Sequence, residues 1–157
     1  MIKNDTNIIF IHPGTGGSAV NLSLKQYAEL ALNLSTYENT YFVITAGPDE
    51  LAIATELSLL LKGIKHHIHH STDGIINFCR IINLCDIFIS GSTGPLHIAG
   101  ALNVSTVAFY PARQSATALR WMTLNTESRR LAFTITDEPV NLNIKAVARS
   151  IINKYLE

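Results

Sequence analysis

Two periods of apolar residues alternate along the chain. Asn7 to Ile11 reads Asn-Ile-Ile-Phe-Ile, a continuous apolar run suited to a parallel strand buried on both faces. A glycine-rich stretch, His12-Pro13-Gly14-Thr15-Gly16-Gly17-Ser18, breaks it. From Ser23, a plausible cap, Leu24, Tyr27, Ala28, Leu30, Ala31 and Leu34 recur at helical spacing. The unit strand, loop, helix then repeats. Thr40 to Thr45, rich in β-branched and aromatic residues, predicts a second strand ended by Ala46-Gly47-Pro48-Asp49, and Glu50 to Leu61 predicts a helix with the acidic pair Asp49-Glu50 at its positive end. Ile64 to His70 reads as a third, weaker strand, Gly74 to Leu84 as a helix, and Asp86 to Ser90 as a fourth strand. Ser105 to Tyr110, closed by Pro111, is a fifth strand, Leu131 to Ile135 a sixth, and Leu142 to Tyr155 a final amphipathic helix. Residues 112 to 127 carry the least periodicity and predict a loop with a short helical piece.

Strands alternating with helices of about a dozen residues predict an α/β fold, a single Rossmann-like, doubly wound and mostly parallel sheet with helices on both faces. In the common strand order 3-2-1-4-5-6 the direction of winding reverses between strands one and four. The carboxyl ends of those strands are His12 to Ser18 and Ser90 to Gly94. Both glycine-bearing corners are then expected to face one crevice, the place where such sheets bind ligands.

The second corner carries the clearest local signal. Ile87-Phe88-Ile89-Ser90 runs through Gly91-Ser92-Thr93-Gly94 into Pro95-Leu96-His97-Ile98-Ala99-Gly100-Ala101-Leu102, which reads strand, tight turn, helix. Proline suits the first helical position because it brings no N–H to leave unsatisfied, with Thr93 or Gly94 as the cap. The free N–H groups of a first helical turn carry partial positive charge, so this turn is expected to form a floor for a phosphate or diphosphate. The candidate ligand-binding residues are therefore His12, Thr15, Gly16 and Gly17 at the first corner and Ser92, Thr93, Gly94 and His97 at the second. Glu50, just past strand two, can accept both hydroxyls of a ribose, or can simply favour a helix start.

Composition narrows the partners. With 157 residues, 47% of them hydrophobic, the chain can bury one full core. Twelve Lys+Arg balance twelve Asp+Glu, which leaves no overall field for a nucleic-acid backbone or an anionic membrane. No run approaches the roughly 20 apolar residues of a membrane span, and the first residues lack the apolar stretch of a signal peptide, so a cytoplasmic location is expected. Cys79 and Cys85 lack metal or redox spacing and read as core thiols.

Other constellations are weaker. Gly14-Thr15-Gly16-Gly17-Ser18-Ala19 fits the loose dinucleotide pattern, but Ile44-Thr45-Ala46-Gly47 offers no acid at the end of strand two, so a nicotinamide-dependent enzyme is only a third reading. Neither loop is followed by the Gly-Lys-Ser/Thr of a P-loop. His66, His67, His69 and His70 would alternate across a strand, which favours a polar edge strand over a metal site. Arg113, Arg120 and Trp121 belong to the irregular stretch; Arg120 and Trp121 read either as a packed pair or as a border of the pocket.

The segments Ile11 to Ala19, Ala46 to Glu50 and Cys85 to Leu102 together resemble the C-terminal half of family 9 glycosyltransferases, the heptosyltransferases of lipopolysaccharide core assembly. The resemblance runs from about residue 7 to about residue 124. It implies a GT-B enzyme of two Rossmann-like domains facing a cleft, of which residues 1–157 would be the single domain that binds a nucleotide-diphosphate sugar resembling ADP-heptose. By the same resemblance the amides of Thr93 and Gly94 hold the donor diphosphate, His97 assists, and Glu50 takes the ribose. The donor is a substrate, with no cofactor and no metal implied, since no carboxylate pair stands ready to hold one.

Three departures separate the chain from that pattern. Val20-Asn21 stands where the family commonly has a lysine or arginine directed at the phosphates, and Ser92 stands where the best-known members have aspartate. The N-terminal half that would supply the acceptor site and catalytic base is missing from these 157 residues. The expectation is a donor-binding half that does not turn over alone: an excised domain, a degenerate stand-alone half or one part of a split enzyme. Its partners would be the nucleotide sugar, an N-terminal half or partner chain, and a lipopolysaccharide-core-type acceptor met at the membrane periphery. The competing class is a non-catalytic nucleotide-sugar binding module acting through a partner chain.

Overall fold

Strand β1 (Asn7–His12) lies near the middle of the sheet because its side chains are apolar on both faces: Ile9, Phe10 and Ile11 are all buried. The computed structural model describes residues 5–16, 21–112, 121–136 and 141–157. Within them β1 pairs in parallel with β2 (Thr40–Ala46) on one side and β4 (Ile87–Gly91) on the other. β3 (His66–His70), β5 (Ser105–Pro111) and β6 (Arg130–Ile135) complete an all-parallel sheet of order β3-β2-β1-β4-β5-β6. This is the order expected from the alternating pattern.

Alternation along the strands divides the core. Ile9, Ile11, Phe42, Ile44, Ile87, Ile89, Val107 and Phe109 pack on one face with helices α1 (Leu24–Leu34), α2 (Leu51–Leu60) and α5 (Ile144–Ile151). Phe10, Val43, Phe88, Ala108 and Tyr110 point the other way, against α3 (Ile75–Ile82) and α4 (Gly94–Ala101). Helices on both faces make the sheet doubly wound.

Local chemistry sets the helix starts. Ser23 caps α1 in a capping box, its hydroxyl accepting from the Gln26 N–H at 3.2 Å while its own N–H donates to Gln26 Oε1 at 2.9 Å. Thr93 and Pro95 start α4 in the same region the sequence singles out. Glu50 takes the N-cap position of α2 rather than its first turn, and its side chain makes no cap bond.

Other element ends move by a few residues. The third strand begins at His66 instead of Ile64, because Gly63 turns the chain at φ 82° and the Ile64 N–H still bonds back to the Leu61 carbonyl. The third helix ends at Ile82, two residues early, and α5 gives way at Ile152–Leu156 to a wider π turn. Within the irregular stretch, residues 121–126 are not helical beyond Trp121; Asn125 pins them by donating to the carbonyls of Val104 and Arg129, each at 2.8 Å. Arg113 and Arg120 lie outside the described residues.

Candidate functional site

His12, the last residue of β1, pairs with Ser90 of β4, so the two glycine corners leave the sheet side by side at its carboxyl edge. The following chain goes to α1 on one face and α4 on the other. That divergence is the switch point of a doubly wound sheet.

The second corner is built from neighbours in sequence. Ser90 Oγ and Thr93 Oγ1 share a hydrogen bond of 3.0 Å, and Thr93 Oγ1 accepts from the Leu96 N–H at 3.4 Å. The His97 N–H donates to the Thr93 carbonyl, and Pro95 has no N–H. Of the first-turn amides, this leaves the N–H of Gly94 without a partner inside the helix, and Gly94 is exposed. Ser92, Thr93 and His97 are half-buried around it, and the His97 ring lies 6.3 Å from the Trp121 ring. Trp121 therefore borders this corner.

The first corner is held from a distance. Glu50 reaches back across it: Oε2 accepts from the Gly47 N–H at 2.9 Å and stands 3.3 Å from His12 Nε2. The carboxylate lies directly over Gly14, where a Cβ would sit only 2.2 Å from Oε1. Only glycine permits that approach. His12 was expected to touch ligand directly. Instead it is 2% exposed and stacked on Phe88, with Nδ1 on Thr45 Oγ1 at 3.0 Å and Nε2 on Glu50, so it stands one layer behind the crevice. Burial lowers its pKa below the ordinary imidazole value, against opposing contributions from the Glu50 charge and a backbone hydrogen bond with Thr45. Thr15 is half-buried, Gly16 is exposed and turns the chain at φ 59°, and Gly17 lies outside the described residues, as does Val20.

Between the corners stands Asn21, a residue with no site role in the sequence reading. Its Nδ2 donates to the Pro13 carbonyl at 3.1 Å, and its Oδ1 accepts from the Leu22 N–H at 2.8 Å and the Tyr27 hydroxyl at 2.7 Å. The same oxygen presses on Gly91, where a Cβ would lie 2.8 Å from it. Asn21 thus fills the base of the seam and ties the loop after β1 to the end of β4. One signal pointed this way: Tyr27 falls on the apolar face of α1, and a buried tyrosine needs a partner for its hydroxyl.

The four histidines of β3 take separate partners on the edge strand. His66 bonds Ser58 Oγ and the Ile64 carbonyl, His67 meets Tyr41, His70 bonds the Pro48 carbonyl, and His69 stacks on Phe78. Among the described residues no three His, Cys, Asp or Glu side chains gather as a metal site would require. Cys85 is buried, which pushes its thiol pKa up, and Cys79 is half-buried.

A parallel sheet of this order, opening at its switch point, is the Rossmann-like half from which GT-B glycosyltransferases are built. Escherichia coli ADP-heptose lps heptosyltransferase II superposes with a TM-score of 0.78 over 98% of this chain and 48% of its own, at 18% identity. The E. coli heptosyltransferase WaaC with ADP gives 0.73 over 97% and 46%, at 14% identity. Residues 2–132 match Glycosyltransferase family 9 (heptosyltransferase), and the chain belongs to that family. A Haemophilus influenzae protein described as a putative glycosyltransferase is 42% identical over 125 residues, 80% of this chain and 36% of that protein. Lipooligosaccharide heptosyltransferase 2 of Campylobacter jejuni is 28% identical over 130 residues, 80% of this chain and 40% of that one. The chain thus spans about two-fifths of the curated relatives it matches. Among its described residues no helix is long and apolar enough to cross a membrane.

Proposed function

We propose that residues 1–157 form a single donor-binding domain that holds a nucleotide-diphosphate sugar, of the ADP-heptose kind, for transfer to a lipopolysaccharide-core-type acceptor. The observation that carries this reading is the pairing of His12 with Ser90, which sets the two corners at one crevice. The N–H groups of Thr93 and Gly94 would hold the diphosphate at the start of α4, with His97 beside them. Glu50 would take the ribose, since Oε2 is already engaged and Oε1 keeps acceptor capacity. As the sugar–phosphate bond breaks, negative charge grows on the leaving nucleoside diphosphate, and amides and a helix end fixed in advance stabilise it without reorganising. The acceptor hydroxyl and the general base that activates it would come from an N-terminal half or partner chain. Cytoplasmic assembly with peripheral contact to a membrane-held acceptor fits this scheme.

Calorimetric titration of the chain with ADP, UDP and GDP and their sugar conjugates tests it. Saturable binding, weakened by Gly94→Pro, which removes the first-turn donor, is the expected result. Absence of saturable binding for every nucleotide would sink the proposal. Binding without transfer, even after a family N-terminal half is added, is the outcome expected of a non-catalytic nucleotide-sugar binding module.

A further inference from the structure

We infer that His12 is a positioning residue that aims Glu50 at the ribose, and so makes the site selective for nucleotides carrying the 2′,3′-diol. The inference rests on the nucleotide-donor reading above and deepens it. An exposed glutamate samples many rotamers, and ordering it at the moment of binding costs affinity. Glu50 is only 21% exposed and is ordered already. Oε2 is held by the Gly47 N–H and by His12, and the bare Cα of Gly14 lets the carboxylate lie flat against the loop. What remains is Oε1, which has no hydrogen bond to any described residue.

His12 is suited to this task by what stands behind it. A neutral imidazole donates from one nitrogen and accepts at the other. Thr45 Oγ1, fully buried at 3.0 Å from Nδ1, can donate there, which places the ring proton on Nε2 facing Glu50. Phe88 stacks on the ring at 6.3 Å and Phe78 lies 6.4 Å away, so the ring cannot turn to exchange its nitrogens without disturbing the core. Thr45, His12 and Glu50 form a directed row from the core to the crevice.

The test compares ADP with 2′,3′-dideoxy-ADP by calorimetry on the 157-residue chain. In the native chain ADP should bind the tighter of the two. His12→Phe keeps a ring on Phe88 but has no N–H for Glu50, and it should weaken ADP about tenfold while leaving the dideoxy nucleotide within about twofold. His12→Gln, whose amide can replace the Nε2 donor, should recover most of the ADP affinity. Thr45→Val, which frees the tautomer without touching Glu50, should cause a smaller loss of the same selectivity and serves if His12→Phe does not fold. Equal losses for both nucleotides, or no loss for either, would overturn the positioning role and leave the donor reading intact. Failure of the native chain to bind ADP or any other nucleotide would remove both.

Discussion

The two corners of the crevice are stabilised in opposite ways. The corner after β4 is closed by Ser90, Thr93 and Leu96, residues three apart in sequence. The corner after β1 is held by residues that arrive from elsewhere: Glu50 from the start of α2, Thr45 from β2 and Asn21 from ahead of α1. A corner made of near neighbours forms wherever its own few residues are correct. A corner made of distant side chains forms only when the sheet is assembled, so its geometry reports on the whole fold. Substitutions should separate the two by how far their effects spread.

The largest effect is expected at Asn21. Asn21→Ala leaves the Pro13 carbonyl without its donor and the Leu22 N–H and the Tyr27 hydroxyl without their acceptor, and Tyr27 is fully buried. Unpaired buried polar groups of this kind cost about 2–3 kcal/mol together. Urea unfolding should show that loss, and Tyr27→Phe in the Asn21→Ala background should cost less than it does alone, because the hydroxyl has already lost its acceptor. Strict additivity of the two changes would contradict the tie across the seam. Nucleotide affinity should fall as well, since the two corners are no longer held at fixed separation.

These two kinds of construction also explain what could be read from the chain. Period and punctuation gave the strands and the start of α4, because each rests on residues close in sequence: the Ile-Ile-Phe-Ile run, the capping threonine, the proline after it. The strand order came only as the common one for such alternation. Glu50 was legible as a charge near the crevice, but its bond to His12 was not. That contact spans 38 positions, and no local pattern records which of two faces a histidine at a strand end will take. Asn21 is hard to read from the sequence for a related reason. It sits in the loop before α1, where asparagine ordinarily reads as turn chemistry, and its meaning appears only when Gly91 is found against it. The family resemblance covered this region and pointed at a missing cation, an expectation about chemistry rather than packing.

A smaller effect follows from pH. His12 is buried, which lowers its pKa in the folded chain below the ordinary value of 6.5. Between that lowered value and 6.5 the unfolded chain therefore binds more protons than the folded one, so stability rises with pH through this window. The contribution is fully present above 6.5 and is lost as pH falls below it. Among the described residues Glu50 is the charged group that faces the ring, at Nε2, and it opposes the shift, while Thr45, Phe78 and Phe88 carry no charge. His69, on the far side of Phe78, has its own pKa lowered by partial burial and adds a trend of the same sign. Thermal unfolding from pH 7.5 to 5 should show the decline, and His12→Gln should flatten most of it. A decline unchanged in that variant would assign the pH sensitivity to His69 or to other groups.

The smallest effect belongs to the corner that is easiest to read. Thr93→Ala removes the cap on the Leu96 N–H and the partner of Ser90 Oγ, and loss of an N-cap side chain costs about 1 kcal/mol. Thr93→Ser keeps the hydroxyl and should cost less. The sharper measurement is the cycle with Asn21→Ala. Although β1 and β4 are paired neighbours, Thr93 and Asn21 share no hydrogen-bond partner among the described residues, so their costs should add to within about 0.5 kcal/mol. Strong coupling would mean that the α4 start depends on the seam after all, and that the two corners respond to a bound diphosphate as one unit. Additivity would mean that the backbone donors at Gly94 are set by local chemistry before any nucleotide arrives, while the Glu50 side of the crevice depends on the assembled sheet.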